Sequence, residues 1–251
     1  MREHIDTIPV TEAYELHDEC PFCAMERKAE QSAMRYLAGP SASYMEPDMR
    51  SSTDAVGFCT EHIKKLYQYG NTLGAALILQ THFAGLLEEF EQACENVQPP
   101  ERKLLFFRKK TAPVQEPYWQ QLRRRTQSCW LCNRVNYNMN RYYHTFFVMT
   151  REGEFRRKVE ASKGFCLRHF SVLLEKAEEE LSEEGMAWFY PMVYRLEREN
   201  LRRVKGDLDW LVAKYDYRNA GADWRNSRDA LQRTMQKLQG GYPADGPYRQ
   251  E

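Results

Sequence analysis

The residues of this chain best suited to chemistry are six cysteines and two histidines, set in a pattern that occurs twice. Cys20-Pro-Phe-Cys23 is followed by Gly57-Phe58-Cys59-Thr60-Glu61-His62, and Cys129-Trp-Leu-Cys132 is followed by Gly164-Phe165-Cys166-Leu167-Arg168-His169. Each copy offers three thiols and one imidazole, a complete tetrahedral set for zinc. A CxxC step brings two sulfurs to one ion from a single turn. A CxxH step at a helix start does the same, because residues three apart share a face. The open amides of such a helix also favour thiolate over thiol. The Gly ahead of the third Cys allows a tight backbone approach, and the Phe shields the ligands from water.

The CxxC pairs are 109 residues apart and the CxxH pairs 107 (129 less 20, and 166 less 59). Buried apolar thiols would have no reason to keep such a register. Two Zn2+ ions are therefore the expected cofactors, one for each copy. With four protein ligands no position remains for an activated water. Such sites hold helices and loops together and supply folding stability. A [4Fe–4S] cluster is the alternative, since His sometimes replaces Cys there, although Fe–S sites more usually show three closely spaced cysteines in one loop. A thioredoxin-like dithiol needs a βαβ setting, and no stretch of strand period is long enough to give one. His4, His17, His82 and His144 lack such partners, and only His17, three residues before Cys20, stands as a spare ligand.

The elements that must position these ligands read as helices. Residues 1–16 carry no clear period and read as an extended lead-in. A helix runs from Cys20 to a stop at Gly39-Pro40, residues 40–56 read as a polar loop, and a second helix follows Cys59. A long helix spans about 72–96, with Leu79, Phe83, Leu86, Phe90, Ala93 and Val97 on one buried face. The second copy repeats this plan from Cys129, ending in a long helix over about 185–215. Pro191 either kinks that helix or opens its main part. A 107-residue shift lays Leu79 on Met186, Leu86 on Val193, Cys94 on Leu201 and Val97 on Val204, apolar in both copies, but sets Phe90 on Glu197. Cys94, the one cysteine outside the pattern, then reads as a small hydrophobe on a packed face. The fold expected is all-α: two pseudo-repeated helical units, 1–97 and 118–215, each pinned by its own Cys3His site. A linker at 98–117, a C-terminal loop and helix at 216–240 and a disordered tail at 241–251 complete the chain.

Two further stretches bear on function. Between Glu101 and Arg125 eight Lys or Arg face two Glu. Arg102, Lys103, Arg108, Lys109, Lys110 and Arg123 to Arg125 would be the contact surface of a nucleic-acid-binding alternative. The C-terminal Lys214-Tyr-Asp-Tyr-Arg-Asn219, with Trp224 and Asp229-Ala-Leu, is the other. There Asp216, Arg218 and Trp224 either line a binding site or pack the last helix. With the CPFC, the second CxxC and both GFCxxH motifs, this segment resembles an uncharacterised family of bacterial proteins, a helical domain of unknown function. The likeness covers about residues 15–240, implies a full-length member, and carries no activity.

Composition limits the remaining classes. An apolar fraction of 42% supplies a core. The 36 basic and 36 acidic residues cancel, so no overall field directs the chain to nucleic acid or an anionic membrane. No apolar run reaches the roughly 18 residues of a spanning helix, and MREHIDTIPV lacks a secretory core. A cytoplasmic protein is expected, which agrees with reduced cysteines serving metal rather than disulfides. No Ser-His-Asp set, phosphate loop or open metal site is recognisable. The sequence reads as a zinc-stabilised interaction or adaptor protein, with a protein partner of unknown identity, an iron–sulfur or thiol redox protein as its first alternative, and no membrane association.

Overall fold

The computed structural model describes residues 5–40, 43–95, 97 and 117–241. Among them are eleven α-helices and no strand, so the chain is all-α. In chain order these are α1 (Thr7–Glu15), α2 (Pro21–Ala38), α3 (Pro47–Val56), α4 (Thr60–Gln68), α5 (Thr72–Glu95), α6 (Tyr118–Gln127), α7 (Trp130–Met149), α8 (Gly153–Glu160), α9 (Leu167–Glu180), α10 (Glu183–Ala213) and α11 (Ala230–Gln239). No described helix is long and apolar enough to cross a membrane. Residues 98–116 of the expected linker and 242–251 of the expected tail lie outside the described residues.

The expected lead-in and polar loop are each partly helical. α1 buries Val10, Ala13 and Tyr14, a spacing too short to reveal a period. α3 starts on Pro47, whose fixed φ suits a first helical position, and buries only Met49 and Thr53. Pro191 lies inside α10 rather than at a helix start.

Two compact units divide the chain, and each draws on both expected repeats. One takes residues 1–31 and 135–246, the other residues 32–134. The first has an aromatic core. Phe22 stacks on Tyr143 with ring centres 4.6 Å apart, and Phe146 meets Phe22, Phe155, Phe165 and Phe189 edge-on. Phe22, Phe146, Phe165 and Phe189 are fully buried. α11 packs against α9 and α10 in this unit. The core of the second unit gathers Met34, Leu37, Phe58, Leu66, Ile78 and Leu131, with α3 against α5.

The long α5 departs from its expected burial. Only Gly74, Ala75 and Ile78 near its start are buried, while Phe83, Phe90 and Val97 are 66%, 49% and 74% exposed. Cys94 is exposed too, so it is not a packed hydrophobe. Periodicity locates an apolar face but not a surface to bury it against. α10, by contrast, buries Phe189, Val193, Leu196 and Val204 of its stripe. The two long helices are related in pattern and unlike in burial.

Candidate metal centres

All eight motif ligands sit at helix starts. Cys20 and Cys129 immediately precede α2 and α7, and Cys59 and Cys166 cap α4 and α9 with extended backbone. The Cys166 sulfur accepts the His169 amide at 3.4 Å. Gly57 and Gly164 turn the chain into these caps at φ of 73° and 74°, a region that favours glycine. A Cβ there would come within 2.9 Å of the His82 ring at position 57 and 2.7 Å of Glu197 Oε2 at position 164. Phe58 and Phe165 are buried beside their cysteines, as their motif position suggested.

The ligands converge in two groups, Cys20–Cys23–Cys166–His169 and Cys59–His62–Cys129–Cys132, each with donor atoms within 4.8 Å of one another. Either group could hold a metal ion. The pairing corrects the expectation that each copy closes on itself: the CxxC of one copy meets the CxxH of the other. Helix length explains it. α2 has 18 residues and α3 has 10, so about 27 Å of helix leads away from Cys20 and about 15 Å leads toward Gly57. The chain does not return to where it started. α7 and α8, with 20 and 8 residues, repeat the mismatch. Each group lies wholly within one unit: the first in residues 1–31 and 135–246, the second in 32–134.

In the first centre Cys20, Cys23 and Cys166 sulfurs stand 3.4, 3.5 and 3.2 Å from His169 Nδ1, and Cys23 is 3.7 Å from Cys166. In the second, Cys59, Cys129 and Cys132 stand 3.3, 3.3 and 3.2 Å from His62 Nδ1, with Cys59 3.8 Å from Cys132. One ring nitrogen carries at most one proton, so three sulfurs around it are not three hydrogen bonds. Ligands about 2.0–2.3 Å from one tetrahedral ion lie about 3.5–3.8 Å from each other, near the spacing seen.

Charge in each centre points the same way. Bonds with Cys20, Cys23 and His169 hold the Cys166 thiol far below its ordinary range, while burial pushes Cys20 up and the bond with Cys166 pushes Cys23 up to about 12. In the second centre burial and the neighbouring Cys129 charge raise Cys132 to about 12. Burial opposes ionisation of Cys129 as well, but the bond with His62 and the amides of Cys132 and Cys59 bring it down to about 6. Ionising Cys20 and Cys23 beside Cys166, and Cys132 beside Cys129, is opposed by burial and by the neighbouring thiols.

The surroundings differ. All four ligands of the first centre are buried, whereas Cys59 and Cys132 in the second are partly exposed. Behind His169, Nε2 lies 3.7 Å from Glu26 Oε2, and Glu26 is itself paired with Arg168. At that distance Glu26 is a neighbouring charge rather than a hydrogen-bond partner of the ring. Lys237 of α11 is buried and donates to the carbonyls of Glu19 (2.7 Å), Lys163 (2.5 Å) and Phe165 (3.2 Å), tying together both chain segments that lead into the centre. Glu197 accepts the Phe165 amide at 2.8 Å. At the end of α11, a Cβ on Gly240 would lie 3.2 Å from the Cys166 sulfur. None of Lys237, Glu197 or Gly240 stands in a motif. The one signal was Glu197, the position that interrupts the apolar match between copies.

Asp216 and Arg218 lie in and beside the short turn after α10, and Trp224 follows it. Asp216 and Arg218 pair with each other at 2.6 Å in an exposed turn. Trp224 underlies Lys214 at 5.0 Å, and Lys214 donates to the carbonyls of Asn219, Ala220 and Ala222. The segment is held by its own contacts. His17 lies outside both groups. Of the basic stretch, Arg102 to Lys110 lie outside the described residues. Arg123 covers the Trp119 ring at 5.3 Å, and Arg125 pairs with Glu89.

The chain matches the Family of unknown function (DUF6062) over residues 1–245 and belongs to it. No curated protein and no solved structure matches it.

Proposed function

We propose, for this member of a family without an assigned role, a zinc-binding protein whose two Cys3His centres are structural. The reading extends to a non-catalytic interaction or adaptor role in the cytoplasm. The observation that carries it is the convergence of three sulfurs on one imidazole nitrogen, twice, at the spacing of a single tetrahedral ion. Cys20, Cys23, Cys166 and His169 would hold one zinc, and Cys59, His62, Cys129 and Cys132 the other. A bound zinc supplies folding energy there by joining two helix starts. A four-iron cluster gives each ligand its own iron and spreads the donors more widely, so these distances favour one ion over a cluster. Four protein donors also leave no vacancy for a metal-bound water.

Metal content per chain, measured by elemental analysis on protein prepared without oxygen, tests the proposal together with an absorption spectrum of the same sample. About two zinc per chain and no visible band is the expected result. Iron with sulfide and a band at about 400 nm would replace zinc by an electron-transfer reading. Absence of both metals would remove the basis of the proposal.

A further inference from the structure

A cleft of 690 Å³ opens in the unit formed by residues 1–31 and 135–246, lined by the loop ahead of Cys166, by α10 and by the start of α11. That volume is typical of small-molecule sites, but the lining is polar and charged. Five cations and three carboxylates border it. The carboxylates are already engaged. Arg203 donates to Glu19 at 2.5 Å, and Arg233 pairs with Asp207 at 2.8 Å and Asp229 at 2.9 Å. Lys163 stands 3.9 Å from Glu19, beyond hydrogen-bond reach.

Arg225 and Arg228 remain. Neither has a carboxylate within ion-pair distance among the described residues. Each guanidinium lies over an indole instead, Arg225 over Trp210 at 4.4 Å and Arg228 over Trp224 at 5.6 Å. Trp210 is in turn fixed by its bond to the Asp223 carbonyl at 2.9 Å. Arg225 also holds a left-handed backbone, φ 51°, its amide bonded to Asp223 Oδ1 at 3.0 Å. A non-glycine residue kept in that region is a strain the surrounding structure maintains, and such residues gather at ligand clamps.

From these observations we propose that the cleft binds a small molecule bearing a phosphate monoester. The lining carries two more positive than negative groups (five against three), which matches the charge of about −1.5 to −2 on a monoester at neutral pH. Guanidinium groups suit its oxygens because they donate in parallel pairs. The three carboxylates at the border oppose a nucleic-acid strand, whose repeated phosphates need a continuous basic track. The inference uses no metal, so its failure and that of the zinc reading are separable when metal content is measured on the same sample.

Titration calorimetry on the full metal-loaded chain at low salt tests it, with ribose 5-phosphate as probe, ribose as control and a single-stranded oligonucleotide as competitor class. Ribose 5-phosphate should bind and ribose should not. R225E/R228E should weaken binding about 100-fold with helicity and metal content unchanged. If that variant misfolds, R225Q/R228Q removes the charges more gently and should show the same direction. No binding at about 1 mM probe, binding that survives loss of both arginines, or tighter binding of the oligonucleotide would each overturn the proposal.

Discussion

The two centres carry the same ligands on the same kind of helix start, yet the segments that bring those starts together are joined differently. In the centre of residues 59–132 the joint is local. The Trp130 amide donates to the Gly57 carbonyl at 2.9 Å, and Ser128 Oγ donates to Val56 O at 2.5 Å. In the centre of residues 20–169 the position matching Trp130 is Pro21, which has no amide hydrogen to give. There the joint is Lys237, reaching from α11 to three carbonyls on the two incoming segments. The second copy's C-terminal extension thus supplies from a separate helix what the other centre makes with residues flanking its own ligands. A duplicated site keeps its ligands while its support diverges.

The largest test of this comparison removes a ligand from each centre. A structural zinc is worth about 10–16 kcal/mol of apparent folding free energy, as much as a whole domain's stability of about 5–15 kcal/mol. His169→Ala should therefore unfold the aromatic-cored unit, while His62→Ala should lose one zinc and less helicity. Circular dichroism with metal analysis on both variants reads this, and equal losses would erase the contrast.

Lys237→Met comes next. It removes the donor to the carbonyls of Glu19, Lys163 and Phe165 and a cation beside Glu197, while Glu19 keeps Arg203, at a cost of about 3 kcal/mol. Urea denaturation should show that loss with any metal held by Cys59, His62, Cys129 and Cys132 unchanged. An unchanged midpoint would mean that Lys237 does not join the segments.

Much of this was legible in the sequence, for reasons that also mark its limit. The eight ligands, the Gly-Phe that precedes each CxxH and the helical class follow from residue type and local spacing. The exchange of partners does not, because it depends on how far α2 and α7 carry the chain. Lys237 and Glu197 resemble any charged residue on a helix until the carbonyls and amide they meet are known. Phe83 and Phe90 lie on the apolar stripe of α5 yet are exposed, because a 3.6-residue period records an apolar face and not what lies against it.

Smaller effects sharpen the contrast further. Gly164→Ala should destabilise by about 2 kcal/mol and Gly57→Ala by about 1 kcal/mol, both through positive φ. The difference arises because the first also meets the Glu197 oxygen that holds Phe165, and the second a histidine ring with more room to turn; thermal melts that reversed the order would contradict this. Smallest is the pH effect. Cys23 and Cys132 are pushed up to about 12 by their neighbours and burial, so an ion bound there would have to displace their protons, and apparent affinity should fall as pH is lowered. Chelator competition between about pH 8 and pH 6 measures it, with Cys59–Cys132 zinc leaving first because those ligands are partly exposed. Affinity independent of pH would argue against thiolate ligation.

The exchanged pairing also sets an order of birth. Cys23 and Cys166 are 143 residues apart, so at about 5–20 residues per second a ribosome takes about 7–30 s to deliver the partner. Meanwhile Cys59, His62, Cys129 and Cys132 have all emerged, and the inner centre can close around its ion while Cys20 and Cys23 wait. The contacts of Lys237 to the segments around the other centre must wait a further 71 residues after Cys166 (237 less 166). During synthesis the Cys20–Cys23 pair is thus exposed without its partners for longer than any other ligand pair, and a metal ion, if bound, would find a complete donor set first at Cys59, His62, Cys129 and Cys132.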